Sequence, residues 1–239
     1  MQDVKKISLI VFLGASLIAC SSHLVVYHNS QRLAINPSVS NSNQIDEIIQ
    51  PFKDSIDKEM NQVIGYSQEN LVVNRPSSSL MNWCADAIFT NQTKNIRLAQ
   101  PTFCLLNTGG IRSSIGIGAI SIGDIYKLMP FDNTIVWVEL PIASLTDIEN
   151  YILQSGGEPI SHAKLENGKL IVNGMNEKST HFWVITSDYL MNGGDKMGFF
   201  EKKTNLISNG KLLRLAFIEE VKSQGTLNFN EEVRITINK

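Results

Sequence analysis

Residues 134–140 have the sequence TIVWVEL, a run of β-branched and other apolar residues that predicts a strand. Ser144 follows with Asp147 three positions later, which is the spacing of a capping box at the start of a helix. The same spacing recurs at Ser121 and Asp124. A strand followed closely by a capped helix favours layers of mixed α and β structure over a β-sandwich or a helix bundle.

Strand and helix signals alternate along the rest of the chain. Asn167-Gly168 stands between two short apolar runs and predicts a type I′ hairpin. Further strands are predicted at residues 181–186 and 233–237, with a helix from about residue 211 to residue 222.

A helical period marks the expected beginning of the folded domain. Apolar residues recur every three or four positions and share one helical face: Ile45, Ile48, Ile49, Phe52, Ile56, Met60, Val63 and Ile64. We therefore predict an α+β fold, in which residues 44–239 form a single domain with a mixed β-sheet flanked by helices.

The composition limits the class of protein. The 239 residues are 43% hydrophobic and 18% charged, which suits one domain with a full core and a tail. The formal net charge is -2 and the basic residues are scattered, so the chain lacks the basic patch that polynucleotide binding requires. We expect no polynucleotide partner.

The first twenty residues resemble the signal peptide of a bacterial lipoprotein. Two lysines precede an apolar run at 7–18, and Leu17-Ile18-Ala19-Cys20 resembles a lipobox. An uncleaved membrane span is the alternative, but about a dozen apolar residues fall short of the roughly 20 that a bilayer requires. We expect residues 1–19 to be a signal peptide, Cys20 to be lipidated, and the Ser- and Asn-rich residues 20–43 to be a flexible tether.

The two other cysteines lie in apolar surroundings. Cys84 stands in a predicted helix and Cys104 in a predicted buried strand. An exported protein can hold a disulfide, but we predict two buried free thiols, and geometry decides between the two.

Three loop segments carry the residues that point to a function. Taken one at a time, each segment has an ordinary structural explanation. A pair of glycines indicates a turn, a phenylalanine after a proline indicates a core residue, and Gly-Gly-Asp indicates a surface bend. The segments are Asn107-Thr108-Gly109-Gly110-Ile111-Arg112, Pro130-Phe131-Asp132-Asn133-Thr134 and Tyr189-Leu190-Met191-Asn192-Gly193-Gly194-Asp195. Together they suit a nucleoside monophosphate: aromatic faces stack on a base, an arginine fork binds phosphate or ribose, and a carboxylate binds ribose hydroxyls.

In this order and spacing, the segments resemble the C-terminal domain of the 5'-nucleotidase and UDP-sugar hydrolase family. That family reads N-G-G-G-I-R, then G-x-I-x-x-x-D before P-F-x-N, then G-G-D-G. The matching stretches here are 107–112, 118–124, 130–133 and 192–195. The resemblance implies that Phe131 and Tyr189 sandwich the base and that Arg112 and Asp195 hold the phosphate and ribose end. It also implies that Asn107 and Asn133 line the same pocket.

Two further positions match the family less closely. Arg75 opens a stretch, residues 75–82, that resembles R-x-E-S-x-L-G-N and implies another ligand-binding arginine, while Gly156 resembles a glycine at the pocket rim. The sequence departs from the family at Ser77, Met81, Thr108 and Lys196, and tyrosine replaces phenylalanine at 189.

Catalysis in this family uses two metal ions held by a preceding phosphoesterase domain through D-x-H and N-H-[DE] motifs. The four histidines here, His23, His28, His162 and His181, stand in no such pattern. We therefore expect a nucleotide-binding, hydrolase-family domain with no cofactor of its own and no activity alone.

Two hypotheses remain for the role of such a domain. In the first it acts with a separate exported metallophosphoesterase, which carries the divalent metals, in nucleotide catabolism. In the second it is a membrane-anchored lipoprotein, facing the periplasm or the cell surface, that captures nucleotides or nucleosides without hydrolysis.

Overall fold

The computed structural model describes residues 43–237. The expected signal peptide, the lipidated Cys20 and the tether up to residue 42 lie outside the described residues. The helices are α1 (Asn43–Met60), α2 (Ser79–Thr93), α3 (Ile122–Leu128), α4 (Leu145–Ser155), α5 (Asp188–Met191) and α6 (Leu213–Gln224). The strands are β1 (Val63–Ser67), β2 (Thr102–Leu105), β3 (Gly118–Ser121), β4 (Thr134–Pro141), β5 (Ile160–Ser161), β6 (Ala163–Glu166), β7 (Lys169–Val172), β8 (His181–Ser187) and β9 (Asn205–Leu212).

A five-stranded sheet with the order β5-β2-β8-β4-β9 forms the centre of the fold. Strands β2 and β8 are parallel and the other pairs are antiparallel, so the sheet is mixed, as predicted. The predicted strand at 134–140 is β4, which pairs with β8 on one side and β9 on the other.

The sheet separates two hydrophobic cores. Because successive side chains of a strand point to opposite faces, Cys104 enters the first core and its neighbours Phe103 and Leu105 enter the second. The first core packs α2 and α6 together, with the rings of Trp83 and Phe217 stacked 5.6 Å apart. The second packs α4 and the β6–β7 hairpin. The prediction of helices flanking a mixed sheet is confirmed.

The cysteine prediction is confirmed as well. Cys84 and Cys104 are both free and buried. Burial, followed by the nearby charge of Asp86, raises the pKa of both thiols well above the ordinary value.

Three predicted local features form as expected. Asn167 and Gly168 have φ values of 51° and 75°, as a type I′ turn between β6 and β7 requires. At Ser121 and Asp124 each side chain bonds the backbone of the other, which completes the capping box of α3. Helix α6 begins at Leu213 and ends at Gln224, two residues later at each end than predicted.

Three other predicted features are wrong. Ser144 makes no side-chain cap bond, because the 3-10 turn Ile142–Ser144 runs directly into α4 and gives Ser144 a helical backbone instead of the extended one that capping needs. Residues 233–237 form only a single bridge, Leu165 to Ile235, instead of a strand. The predicted apolar helix ends at Met60, so Val63 and Ile64 belong to β1, and α1 buries none of its residues.

Among residues 43–237, no helix combines the length and the apolar character needed to cross a bilayer.

Candidate nucleotide-binding site

Sheet topology brings the three loop segments to one edge. Asn107 follows the end of β2 and Tyr189 follows the end of β8, and these strands are parallel, so both residues leave the sheet at the same edge. Strand β4 runs antiparallel to β8 and therefore begins there, directly after Asn133. Loops at the carboxyl ends of neighbouring parallel strands are a common position for ligand sites.

A cavity of about 330 Å³ lies between these loops. Six of the eight residues predicted for the binding site line it, together with Gly109 and Gly110: they are Asn107, Arg112, Phe131, Asn133, Tyr189 and Asp195. Their convergence depends on the sheet, because the segments are separated by tens of residues along the chain.

The two aromatic residues are exposed where large apolar side chains are usually buried. Phe131 is 40% exposed and Tyr189 is 45% exposed. Gly194 allows the tyrosine ring to lie against its own loop, because a Cβ at this position would stand 2.5 Å from a ring carbon. Both rings therefore offer apolar surface to the cavity.

Asp195 is held on both carboxylate oxygens. Tyr189 Oη donates to Oδ1 at 2.7 Å and Asn107 Nδ2 donates to Oδ2 at 2.6 Å. The hydrogen bond to Asp195 raises the pKa of Tyr189, since it stabilises the protonated phenol. Asp195 has a φ of 51°, in the left-handed region that is uncommon for a residue other than glycine. The charged group therefore has a fixed direction on a strained backbone.

Arg112 supplies the cation of the cavity. Its side chain is exposed, and Nη1 donates to the carbonyl of Gly109 at 3.1 Å. A guanidinium carries five N–H donors in a planar fork, so this bond leaves donors for an anionic or hydroxyl-bearing ligand.

A buried arginine supports the loop that carries Phe131. Arg214 lies on α6, its guanidinium stacks over the ring of Tyr126 at 4.2 Å, and it donates to the carbonyls of Met129 and Phe131 at 3.4 Å each. Arg214 also pairs with Asp132. The sequence did not point to this residue, because it stands in an ordinary helix far from the motifs.

Arg75 and Gly156 do not line this cavity. They lie beside each other, since Gly156 closes α4 in a left-handed conformation and a Cβ there would stand 3.6 Å from Arg75 Nη1. Arg75 Nη2 donates to Glu158 Oε1 at 3.0 Å, and Glu158 Oε2 accepts from the Thr108 N–H at 2.6 Å. Arg75 is thus connected to the cavity indirectly, through Glu158 and the loop after β2 that carries Thr108.

Tyr151 reaches the cavity loops from α4. Its Oη donates to the carbonyl of Asp195 at 3.1 Å, and its ring packs edge-on against Phe199. Burial, then the negative charges of Glu158 and Asp195, raise the pKa of Tyr151 to about 12. Tyr151 and Glu158 were both missed from the sequence, since neither lies in a recognisable motif.

The described part of the chain, residues 43–237, contains no group of three or more His, Cys, Asp or Glu side chains arranged to hold a metal ion. His162 stacks on the ring of Phe89 with centroids 3.5 Å apart and shares a hydrogen bond with Ser161. His181 contacts Thr180.

The family model described as 5'-nucleotidase, C-terminal domain, matches residues 63–147. The solved structure of a 5'-nucleotidase precursor from Thermus thermophilus superposes with a TM-score of 0.66 at 23% identity, covering 80% of this chain and 42% of that one. The NAD nucleotidase NadN of Haemophilus influenzae gives a TM-score of 0.61 at 16% identity, covering 82% and 41%. The fold is that of the 5'-nucleotidase C-terminal domain.

Several curated nucleotide phosphoesterases are similar to this chain. Protein UshA of Escherichia coli K12 is 23% identical over 198 residues, which are 76% of this chain and 34% of that protein. The trifunctional nucleotide phosphoesterase protein YfkN of Bacillus subtilis 168 is 24% identical over 247 aligned positions, covering 90% of this chain and 16% of that protein. A 5'-nucleotidase of Vibrio parahaemolyticus is 20% identical, covering 69% and 29%. The chain therefore spans about a third or less of the length of these relatives.

Proposed function

We propose that this domain binds a nucleoside monophosphate in the cavity between the three loops. The observation that carries the proposal is the convergence of two exposed aromatic rings, a guanidinium and an oriented carboxylate on about 330 Å³ of space. Matches to the 5'-nucleotidase C-terminal domain support a substrate-binding role within nucleotidase-family proteins.

Each part of the ligand has a complementary group. Phe131 and Tyr189 stack on the base, an interaction worth about 1 to 3 kcal/mol per base. Asp195 accepts from ribose hydroxyls, and Arg112 donates to the phosphate. Asn107 and Asn133 provide amide donors and acceptors at the same wall.

The proposed partner is a separate exported metallophosphoesterase that holds the divalent metals and hydrolyses the phosphate ester. This domain then contributes substrate recognition to nucleotide catabolism, on a lipoprotein anchored through Cys20 and facing the periplasm or the cell surface. The lipobox-like residues 17–20 support the anchoring. Labelling with a radioactive fatty acid in a bacterial host tests it, since Cys20→Ser should abolish the label.

Binding is tested first by calorimetric titration of the purified domain with AMP and adenosine. Saturable binding of AMP supports the proposal, and the absence of binding to AMP, adenosine and other nucleoside monophosphates contradicts it.

The partnership is tested by measuring phosphate release from AMP with a divalent metal. This protein, the candidate phosphoesterase and their mixture are compared at equal concentrations. Release that is greater in the mixture than in the phosphoesterase alone supports a shared reaction. If AMP binds but the mixture is no faster, the domain captures nucleotides without taking part in hydrolysis.

A further inference from the structure

One short segment contacts both walls of the proposed nucleotide site without lining it. Tyr151 stands in α4, and Glu158 follows three residues after that helix ends. Tyr151 contacts the loop that carries Asp195, and Glu158 contacts the loop that carries Asn107 and Arg112. Neither residue belongs to the cavity lining.

The buried Glu158 carboxylate joins Arg75 to Thr108 through hydrogen bonds, and we call this contact the clamp. Its side chain is 3% exposed, and Oε2 accepts from both the backbone N–H and the hydroxyl of Thr108, at 2.6 and 2.7 Å. Oε1 accepts from Arg75, whose charge compensates the buried carboxylate. Glycine at 157 lets the backbone before Glu158 lie close to Pro76, the residue after Arg75, because a Cβ at residue 157 would clash with the carbonyl oxygen of Pro76.

Thr108 adds a hydroxyl donor to the contact with Glu158. Glycine is common at this position of the family motif, and a glycine would supply the N–H donor but no hydroxyl. Its neighbour Asn107 donates to the Asp195 carboxylate, so the clamp acts on a residue that lines the cavity one position away.

Tyr151 is the second point of contact. Its hydroxyl donates to the carbonyl of Asp195, whose backbone is in the left-handed region together with that of Lys196, where φ is 65°. A hydrogen bond on the carbonyl stabilises this strained conformation and so fixes the direction in which the carboxylate points.

We propose that Tyr151 and Glu158 are positioning residues that hold the two walls of the nucleotide site in their binding geometry before a ligand arrives. The inference rests on the proposed nucleotide binding. Ordering the loops in advance lowers the entropic cost of binding, so the pair raises affinity without touching the ligand. The two residues act on overlapping parts of the ligand. Glu158 orders the loop that carries Arg112, which meets the phosphate, and Asn107, which bonds Asp195. Tyr151 acts on Asp195 alone, which meets the ribose.

The test compares hydroxyl-deleted variants by calorimetry with AMP, adenosine and 2',3'-dideoxy-AMP. Thr108→Val should weaken AMP binding about tenfold while weakening adenosine binding less, and Thr108→Ser should restore the affinity. Tyr151→Phe keeps the ring packing and should weaken AMP binding about fivefold while leaving the affinity for dideoxy-AMP nearly unchanged. Tyr66→Phe, a hydroxyl deletion on an exposed strand residue outside this network, is the matched control and should bind as the unchanged protein does.

A purely structural role would weaken all three ligands in parallel, and that result would overturn the inference. Unchanged affinity in Thr108→Val and Tyr151→Phe would overturn it as well, while leaving the proposed function intact. If the unchanged protein binds no nucleotide, the proposed function fails and this inference with it. Tyr151→Phe keeps the ring, so it tests the contact with Asp195 even if Thr108→Val does not fold. In that case Thr108→Gly, which keeps the backbone N–H and removes the same hydroxyl, should weaken AMP binding as well, and an unchanged affinity in that variant would overturn the role of Glu158.

Discussion

The first core and the cavity proposed to bind a nucleotide use aromatic side chains in opposite ways. Trp83 and Phe217 are fully buried and stacked between α2 and α6, where they contribute apolar burial. Phe131 and Tyr189 are held at 40% and 45% exposure by loops, by Arg214 and by Asp195. The difference shows that the same residue types stabilise the fold in one region and remain available to a ligand in the other. Substitutions should therefore separate stability from binding.

The largest effect is expected in the core. Phe217→Ala should lower the free energy of unfolding by about 3 to 5 kcal/mol, because it removes a buried ring and leaves a cavity against Trp83. Urea unfolding measures the loss. The fraction that remains folded should bind AMP with unchanged affinity, and a weakened affinity would contradict the separation of the two regions.

The next effect belongs to the cation of the cavity. Arg112→Ala should weaken AMP binding by about 1.5 to 3 kcal/mol, the typical worth of hydrogen bonds to a charged group, and adenosine binding far less. Titration calorimetry with both ligands gives the difference. Lys127→Ala removes an exposed positive charge outside the cavity and serves as the control; an equal loss in that variant would point to general electrostatics instead of a contact at Arg112.

Phe131→Ala sharpens the comparison from the aromatic side. The loss of one stacked ring should weaken the binding of AMP and adenosine alike by about 1 to 3 kcal/mol. Since the ring is 40% exposed, the free energy of unfolding should fall by much less than in Phe217→Ala. Phe131→Tyr keeps the stacking face and should retain most of the affinity. Equal binding by Phe131→Ala and the unchanged protein would remove Phe131 from the site.

The smallest effects distinguish the two serines with the same sequence signal. Ser121→Ala should lower the free energy of unfolding by about 1 kcal/mol, because it removes a working helix cap. Ser144→Ala should be neutral or slightly stabilising, since the buried Ser144 hydroxyl has no hydrogen-bond partner. Thermal unfolding of the two variants measures the contrast, and equal losses would show that the spacing alone determines the cap.

The same cap predicts a dependence on pH. Burial alone would raise the pKa of Asp124, but hydrogen bonds from Ser121 and the pairing with Lys127 together lower it. A carboxylate whose pKa is lowered by folding stabilises the protein above its unfolded pKa of about 3.9, and this contribution is lost as the pH falls through the folded value. The destabilisation caused by Asp124→Asn should therefore be present at pH 7 and shrink below about pH 4. A loss of equal size at pH 7 and pH 3 would contradict this assignment.

Local sequence patterns determined much of the protein. They predicted the mixed sheet through the run at 134–140, the I′ hairpin at Asn167-Gly168 and the cap at Ser121, because these features depend on a few adjacent residues. The loop motifs likewise named six residues that converge on one cavity. This was possible because the chemical groups that a ligand would need can be recognised from residue type and order along the chain.

Only the tertiary structure decided the remaining features. It left the apolar face of α1 unburied, gave Ser144 a helical backbone and assigned Tyr151, Glu158 and Arg214 their contacts with the cavity loops. Glu158 stands 50 positions from Thr108 and 83 from Arg75, so no local pattern relates them. Such contacts depend on how the sheet and helices pack, and a sequence shows the chemical groups without the distances between them.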